Sequence, residues 1–300
     1  MAVFRAKSTV IPETKRMQIY RTIAELQETL QQARIQSRLI GLVPTMGNLH
    51  AGHLALVKQA MDDCDFVLTS IFVNPTQFGP DEDLASYPRT FEADCAALAE
   101  LACDGIFSPS VEEIYPQGPV LETRVSVPGL SSKLCGSSRP GHFDGVCTVV
   151  SKLLNICQPD RAYFGEKDFQ QLSIIRRMVN DLNMTARIIS VPTQRADKGL
   201  ALSSRNNYLT EAQKQQASII YKTLQQTASA LMADEADIEK LEENARLLIS
   251  QAGLDVDYFS ICNPETLDRA GQDDRSFRIL AAAYLGRTRL IDNLAVNLPA

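Results

Sequence analysis

Short, nearly unbroken apolar runs alternate with amphipathic stretches over the first two-thirds of the chain. Ile23, Leu26 and Leu30 recur at helical spacing and predict a helix over residues 22–36. The run RLIGLVPT (38–45) predicts a buried strand, residues 54–64 a helix, and DFVLTSIFV (65–73) a second buried strand. A helix at 91–103, a short strand at GIFSPS (105–110), a helix at 144–157, a strand at RAYFG (161–165), a helix at 169–182 and a strand at ARIISVPT (186–193) follow in turn. Strands that are apolar on both sides suit a parallel sheet covered by helices on both faces. The regular alternation predicts βαβ units, hence an α/β fold with a Rossmann-like doubly wound parallel sheet.

The rhythm changes after about residue 195. Two helical stretches, 211–232 and 238–251, precede the closely spaced strands VDYFSIC, SFRILAAAYLG and TRLIDN. Helices followed by clustered strands predict a second, smaller α+β domain. The expected division is 1–189 for the larger, ligand-binding domain and 190–300 for the smaller one.

Composition narrows the functional classes. With 45% hydrophobic and 22% charged residues, the 300-residue chain reads as a folded globular protein. A net charge of −6 argues against a broad nucleic-acid surface, which needs a clustered positive face, but leaves room for a local basic pocket. The seven cysteines form no Cys-x-x-Cys pair and read as reduced core residues. The first 16 residues lack a sustained apolar segment of the secretory type, and no apolar run is long enough to span a bilayer. A cytoplasmic location, with neither nucleic acid nor membrane as partner, is the expectation.

Candidate chemistry concentrates in VPTMGNLHAGHLALVKQA (43–60), which holds two of the three histidines, His50 and His53. A strand ending at Pro44-Thr45-Met46-Gly47 leads through a turn into a helix. The start of a helix offers unpaired N–H groups and a partial positive charge, a natural seat for phosphate. Residues three apart share a helix face, so both rings can aim N–H donors at one anion, and Gly47 and Gly52 allow close backbone approach. On spacing alone phosphate ranks ahead of a metal, and a metal ahead of chance. A His-x-x-His pair gives a metal only two ligands, no Glu or Cys sits at the neighbouring turn, and His142 is distant in sequence. No residue is assigned as a metal ligand.

Further stretches agree with this one. SIFVNPTQFGPDEDLASYPRT, SRPGHFDGVCTVVSKLLN, PDRAYFGEKDFQQLSIIRRMV, GLALSSRNNYL and LGRTRLIDN follow in order. PTMGNLHAGH resembles the His-x-Gly-His-type element of the nucleotidyltransferase superfamily, and the whole set resembles the pantothenate synthetase (pantoate–β-alanine ligase) family. The resemblance implies a two-step reaction. ATP and (R)-pantoate, with Mg²⁺, form a bound pantoyl adenylate and diphosphate, and β-alanine then attacks to give pantothenate and AMP. It also implies a homodimer with a Rossmann-like N-terminal domain and a smaller C-terminal one.

Residue by residue, the resemblance assigns ATP contacts to Met46, Gly47, His50, His53, Gly165, Glu166, Lys167, Asp168, Gln194, Leu202, Ser203, Ser204 and Arg205. It assigns substrate contacts to Asn74, Gln77, Gln171 and Arg139, and catalytic roles to His53, His50, Lys167 and Arg205, with His53 as proton donor. Each stretch also has a plainer reading: an Asx-turn at Asn74-Pro75, a solvated helix start at Glu166-Lys167-Asp168, a Ser/Asn-rich linker at 203–207. Two positions depart from the family pattern: Cys135, where many relatives have glutamate, and Lys198, where aspartate is usual. Competing activities are a nucleotidyltransferase that leaves the nucleotide on its product, disfavoured by VNPTQF and GEKDFQQ, and a non-catalytic nucleic-acid or metal-binding module, disfavoured by the acidic balance.

Overall fold

The computed structural model describes residues 17–80, 82–119, 121, 123–233, 237–271 and 273–298. Six strands form one parallel sheet: β1 (Gln18–Tyr20), β2 (Ile40–Thr45), β3 (Phe66–Ile71), β4 (Gly105–Phe107), β5 (Arg161–Gly165) and β6 (Arg187–Val191), in the order β1-β4-β3-β2-β5-β6. β2 and β3 pair without slip from Ile40↔Phe66 to Thr45↔Ile71. The strands are connected by α1 (Ile23–Ile35), α2 (Ala51–Asp63), α3 (Phe91–Glu100), α4 (Val111–Ile114), α5 (Cys135–Ser138), α6 (His142–Cys157) and α7 (Phe169–Asp181). Ile40, Leu42, Val43 and Leu68 are fully buried, as strands covered on both faces require.

The second unit carries α8 (Glu211–Ala217), α9 (Ile219–Leu231) and α10 (Ile238–Gln251) against an antiparallel sheet of β7 (Asp255–Cys262), β8 (Ser276–Leu285) and β9 (Thr288–Asn297). Its core gathers Leu224, Ile249, Phe259, Ile261 and Ile279, whereas Cys262, Leu267 and Leu280 join the core of the first unit. The fold is therefore the expected doubly wound parallel sheet with a smaller α+β unit. β6 runs on to Val191, so we propose that the division falls after that residue rather than at 189/190.

Three of the differences from the sequence expectation bear on the account. The stretch 211–232 is two helices that meet at Ser218, whose N–H (3.3 Å) and hydroxyl (2.6 Å) both bond the Gln215 carbonyl in a 3₁₀-type turn. The three-residue edge strand β1 is too short to show a period. α2 begins at Ala51, three residues earlier than its apolar pattern indicates, which puts His53 in the first turn.

The sheet order reverses around β2, whose neighbours are β3 and β5. Ligands bind at the carboxyl edge of such a switch point. There α6 packs closely on the turn after β3: a Cβ on Gly145 would lie 2.2 Å from the Thr76 carbonyl oxygen and 2.7 Å from the Gln77 nitrogen. Gly145→Ala is expected to destabilise the protein by about 1–3 kcal/mol, the usual cost of overpacking. Urea denaturation measures it, and an unchanged midpoint and slope would contradict this close approach.

Candidate active site

Between β2 and α2 the chain bends through Gly47 (φ 78°) and Asn48 (φ 49°), both in the left-handed region. Asp94, in the first turn of α3, fastens the bend. Its buried carboxylate accepts the N–H groups of Asn48 (2.9 Å) and Leu49 (2.8 Å) and the Thr90 hydroxyl (3.1 Å).

α2 is capped by histidine, where a small polar residue is usual. His50 Nδ1 accepts the Gly52 N–H at 3.1 Å, and the His50 N–H reaches His53 Nδ1 at 3.4 Å, with ring centroids 4.1 Å apart. A neutral imidazole has one donor and one acceptor nitrogen. With both Nδ1 atoms accepting, each ring keeps its proton on Nε2. Burial, followed by the positive charge of Lys167, lowers His50 to about 4. Burial, followed by His50, lowers His53 to about 3. At neutral pH the rings are uncharged hydrogen-bond donors.

After β3, Asn74 is 1% exposed and wholly engaged. Its Oδ1 accepts the Tyr115 hydroxyl (2.8 Å), the Thr76 hydroxyl (2.9 Å) and, in an Asx-type turn, the Thr76 N–H (3.4 Å). Its Nδ2 donates to Gln77 Oε1 (3.1 Å) and the Gly145 carbonyl (3.2 Å). Asn74 thus holds the turn and orients Gln77, whose Nε2 contacts Met46 Sδ at 3.0 Å.

A 3₁₀ turn, Glu166–Asp168, joins β5 to α7 and carries Lys167, with Nζ 3.4 Å from Asp168 Oδ1. Beyond β6, Leu202 N–H bonds the Gln194 carbonyl at 2.9 Å, closing a hairpin that delivers Ser203, Ser204 and Arg205. Ser203 Oγ accepts the Arg205 N–H (3.3 Å), and Ser204 Oγ donates to the Asn48 carbonyl (3.2 Å), tying this segment to the α2 bend.

Two arginines are held by carboxylates of the 79–90 loop. Arg139 grips Glu82 through Nε and Nη2, both at 2.6 Å, and Arg205 meets Asp83 at 3.0 Å. Burial alone would raise the Glu82 carboxyl, but Arg139 outweighs it and holds it below the ordinary value. Arg139 also donates to His142 Nε2 (2.9 Å), so His142 Nδ1–H donates to the Gln77 carbonyl (2.7 Å). Burial, then Arg139, lowers His142 to about 4.

Together these segments border two adjoining, partly open chambers, the inner one against the parallel sheet. The inner, of about 240 Å³, is lined by Met46, His50, His53, Gln77 and Gln194, and the outer, of about 770 Å³, lies toward the second sheet. Arg139, His142, Lys167, Asp168, Gln171, Ser203 and Arg205 border both. The inner chamber alone falls below the roughly 300–1,000 Å³ of ligand pockets, and the outer lies within that range.

Of the residues expected from sequence, Asn74, Gly165, Leu202 and Ser204 also border the inner chamber. Gly47 and Glu166 border neither. Gly47 packs on Asp94, and Glu166 turns its carboxylate to Arg278 at 3.5 Å. Cys135 sits between the Tyr258 hydroxyl (3.0 Å) and the Arg289 guanidinium (3.4 Å), while Lys198 is exposed. His142, Asp94, Glu82 and Asp83 were missed, although the glycine before His142 and the helix it opens offered the same signal as at His50. Among the described residues no three His, Cys, Asp or Glu side chains form a metal-ligating group.

Because the unfolded histidine pKa is about 6.5, unfolding takes up protons that the native rings refuse. Stability should therefore fall as pH drops from about 6.5 toward 4. His53→Asn should flatten that slope by up to ~1.4 kcal/mol per pH unit, one proton's worth. Urea melts at pH 7, 6 and 5 test this; identical slopes for both proteins would contradict a depressed His53.

Comparison with known proteins agrees with the geometry. Residues 18–295 match the family model for Pantoate-beta-alanine ligase. The pantothenate synthetase of Pseudomonas aeruginosa (strain UCBPP-PA14) is 56% identical over 282 residues, covering 94% of this chain and 100% of that protein. The crystal structure of pantothenate synthetase from Thermus thermophilus superposes with a TM-score of 0.86 at 43% identity, over 93% of this chain and 99% of that one. The pantoate-beta-alanine ligase from Francisella tularensis, solved in complex with Beta-gamma ATP and beta-alanine, gives 0.78 at 38% identity over 93% and 97%. The chain belongs to the pantoate–β-alanine ligase family and is an ATP-dependent ligase of pantothenate biosynthesis.

Proposed function

We propose that the two chambers join pantoate to β-alanine through a pantoyl adenylate, with phosphate held by the paired imidazoles. A pantoate carboxylate oxygen attacks the α-phosphorus of ATP, the bond to the β-phosphate breaks, and diphosphate leaves. The amine of β-alanine, having lost a proton, then attacks the acyl carbon. The amide C–N bond forms, the nitrogen gives up a second proton to solvent, the acyl C–O bond breaks, and AMP departs with the acyl-phosphate oxygen.

The observation that carries this reading is the reciprocal cap of α2. A carboxylate is already ionised at neutral pH, so the first step calls for in-line placement and neutralisation of phosphate charge more than for a base. His50 and His53 supply two preorganised Nε2–H donors beside the positive end of a helix. A ring whose imidazolium pKa is about 3 is a poor proton source at neutral pH. At neutral pH His53 therefore meets the phosphates as a hydrogen-bond donor, at the position to which the resemblance gives the proton-donor role.

Lys167, Ser203, Ser204 and Arg205 take the rest of the triphosphate, Arg205 by exchanging Asp83 for phosphate. Gln77 and Gln171 recognise pantoate, each amide offering donor and acceptor to its hydroxyl and carboxylate. Asn74 keeps Gln77 in place, and Arg139 and His142 hold the Gln77 carbonyl. Mg²⁺ usually rides on substrate phosphates with one or two carboxylates. Asp168, which borders both chambers beside Lys167, fits that need: it would hold the ion, and the ion's charge would help neutralise the phosphates. We infer a homodimer from the resemblance and a cytoplasmic location from the sequence expectation; among the described residues no helix is long and apolar enough to cross a membrane.

Folded His53→Ala is expected to lose ~10²–10³-fold in pantoate-dependent exchange of diphosphate into ATP, the usual effect of removing one preorganised donor. Near-normal exchange in that variant would contradict the assigned role. Release of a nucleotide adduct in place of AMP, read by mass, would overturn the adenylate route.

A further inference from the structure

The second sheet reaches into the phosphate side of the cleft through two consecutive residues of β9, Asp292 and Asn293. Successive side chains of a strand point to opposite faces, so this pair can hold different segments. Asn293, 3% exposed, donates from Nδ2 to the carbonyls of Glu166 (2.9 Å) and Lys167 (2.8 Å). Its Oδ1 accepts Arg278 Nε at 2.7 Å. Arginine only donates, which fixes the amide orientation with its nitrogen toward the two carbonyls. Arg278 itself lies 3.9 Å over the Phe169 ring, at the first residue of α7.

Asp292, 5% exposed, takes Arg195 on both oxygens at 2.6 and 2.9 Å. Arg195 also donates to the Gly199 carbonyl (3.0 Å) and stacks 3.6 Å over Tyr221. The hairpin that delivers Ser203–Arg205 is thereby fixed to the same strand. By contrast, among the described residues the ammonium of Lys167 has only a long contact to Asp168, at 3.4 Å. The direction of this side chain is consequently set by its backbone, and the backbone is held by Asn293.

We propose that Asn293 is a positioning residue for the ligation: by binding the Glu166 and Lys167 carbonyls it aims the Lys167 ammonium at the nucleotide phosphates. This rests on the role given to Lys167 above. A misplacement of about 1 Å can cost ~10²-fold in rate, so loss of the two anchoring bonds should be felt in turnover of ATP.

The test is a double-mutant cycle of Lys167→Ala and Asn293→Ala, read as kcat/KM for ATP in diphosphate exchange, with thermal melts to confirm folding. Asn293→Ala alone is expected to lose ~10–100-fold. In the Lys167→Ala background the same change should cost less than about twofold, because residues acting through one group are not additive. Equal losses in both backgrounds would overturn the proposal and mark Asn293 as general scaffolding. Full activity in Lys167→Ala would instead sink the reading of the site itself, and with it the need for positioning. Should Asn293→Ala fail to fold, Asn293→Ser, which keeps one short donor, enters the same cycle: a loss confined to the Lys167 background supports the proposal, and equal losses overturn it.

Discussion

Two ring nitrogens, each accepting a backbone N–H at the start of one helix, set the electrostatics of the cleft. The reciprocal cap of α2 takes the Nδ1 lone pairs of His50 and His53, leaving a single proton on each ring at Nε2. Burial and the nearby lysine then keep those rings uncharged. Two neutral donors beside a helix N-terminus can hold phosphate oxygens without adding two full cations that the low-dielectric cleft would have to stabilise. A small polar cap would satisfy the helix equally well, but any donor it carries would lie at the cap itself rather than an imidazole's width beyond it. Structural and chemical duties are thus met by the same two side chains.

The remaining polar framework keeps that cap in register with its surroundings. Asp94 ties the left-handed bend before α2 to α3, and Ser204 ties the same bend to the segment beyond β6. Asn74 and His142 brace the two ends of the Gln77 turn. Asp292 and Asn293 bring the second sheet to the first. Each of these side chains satisfies backbone groups or guanidinium donors that would be costly to bury unpaired. Glu82 and Asp83, side by side on one loop, hold Arg139 and Arg205, the two guanidinium groups bordering both chambers.

Much of the fold was legible because its signals are local. The strand at 161–165 and the helix at 238–251 have the predicted bounds, since continuous burial and a clean amphipathic face both show within a few residues. β1 and the break at Ser218 carry no such period. At the site, His50 and His53 are legible from their spacing at a helix start, whereas Gln77, Lys167 and Arg205 are legible only through the resemblance to the family. Asp94, His142 and Asn293 are not, because each acts over a long sequence separation on a backbone group, a contact with no local pattern. Glu166 shows the converse: a 3₁₀ turn sends it toward Arg278 although its neighbour Lys167 borders the cleft. Within one tight turn, adjacency in sequence does not decide which side chain faces the ligand.

The account turns on the protonation state of the two capping rings, and nitrogen-15 NMR of the histidines reads it directly. Spectra of the folded protein between pH 8 and 5 should show His50 and His53 as neutral rings with the proton on Nε2. Rings that are charged at pH 7, or that carry the proton on Nδ1, would contradict the reciprocal cap and the phosphate-binding role built on it.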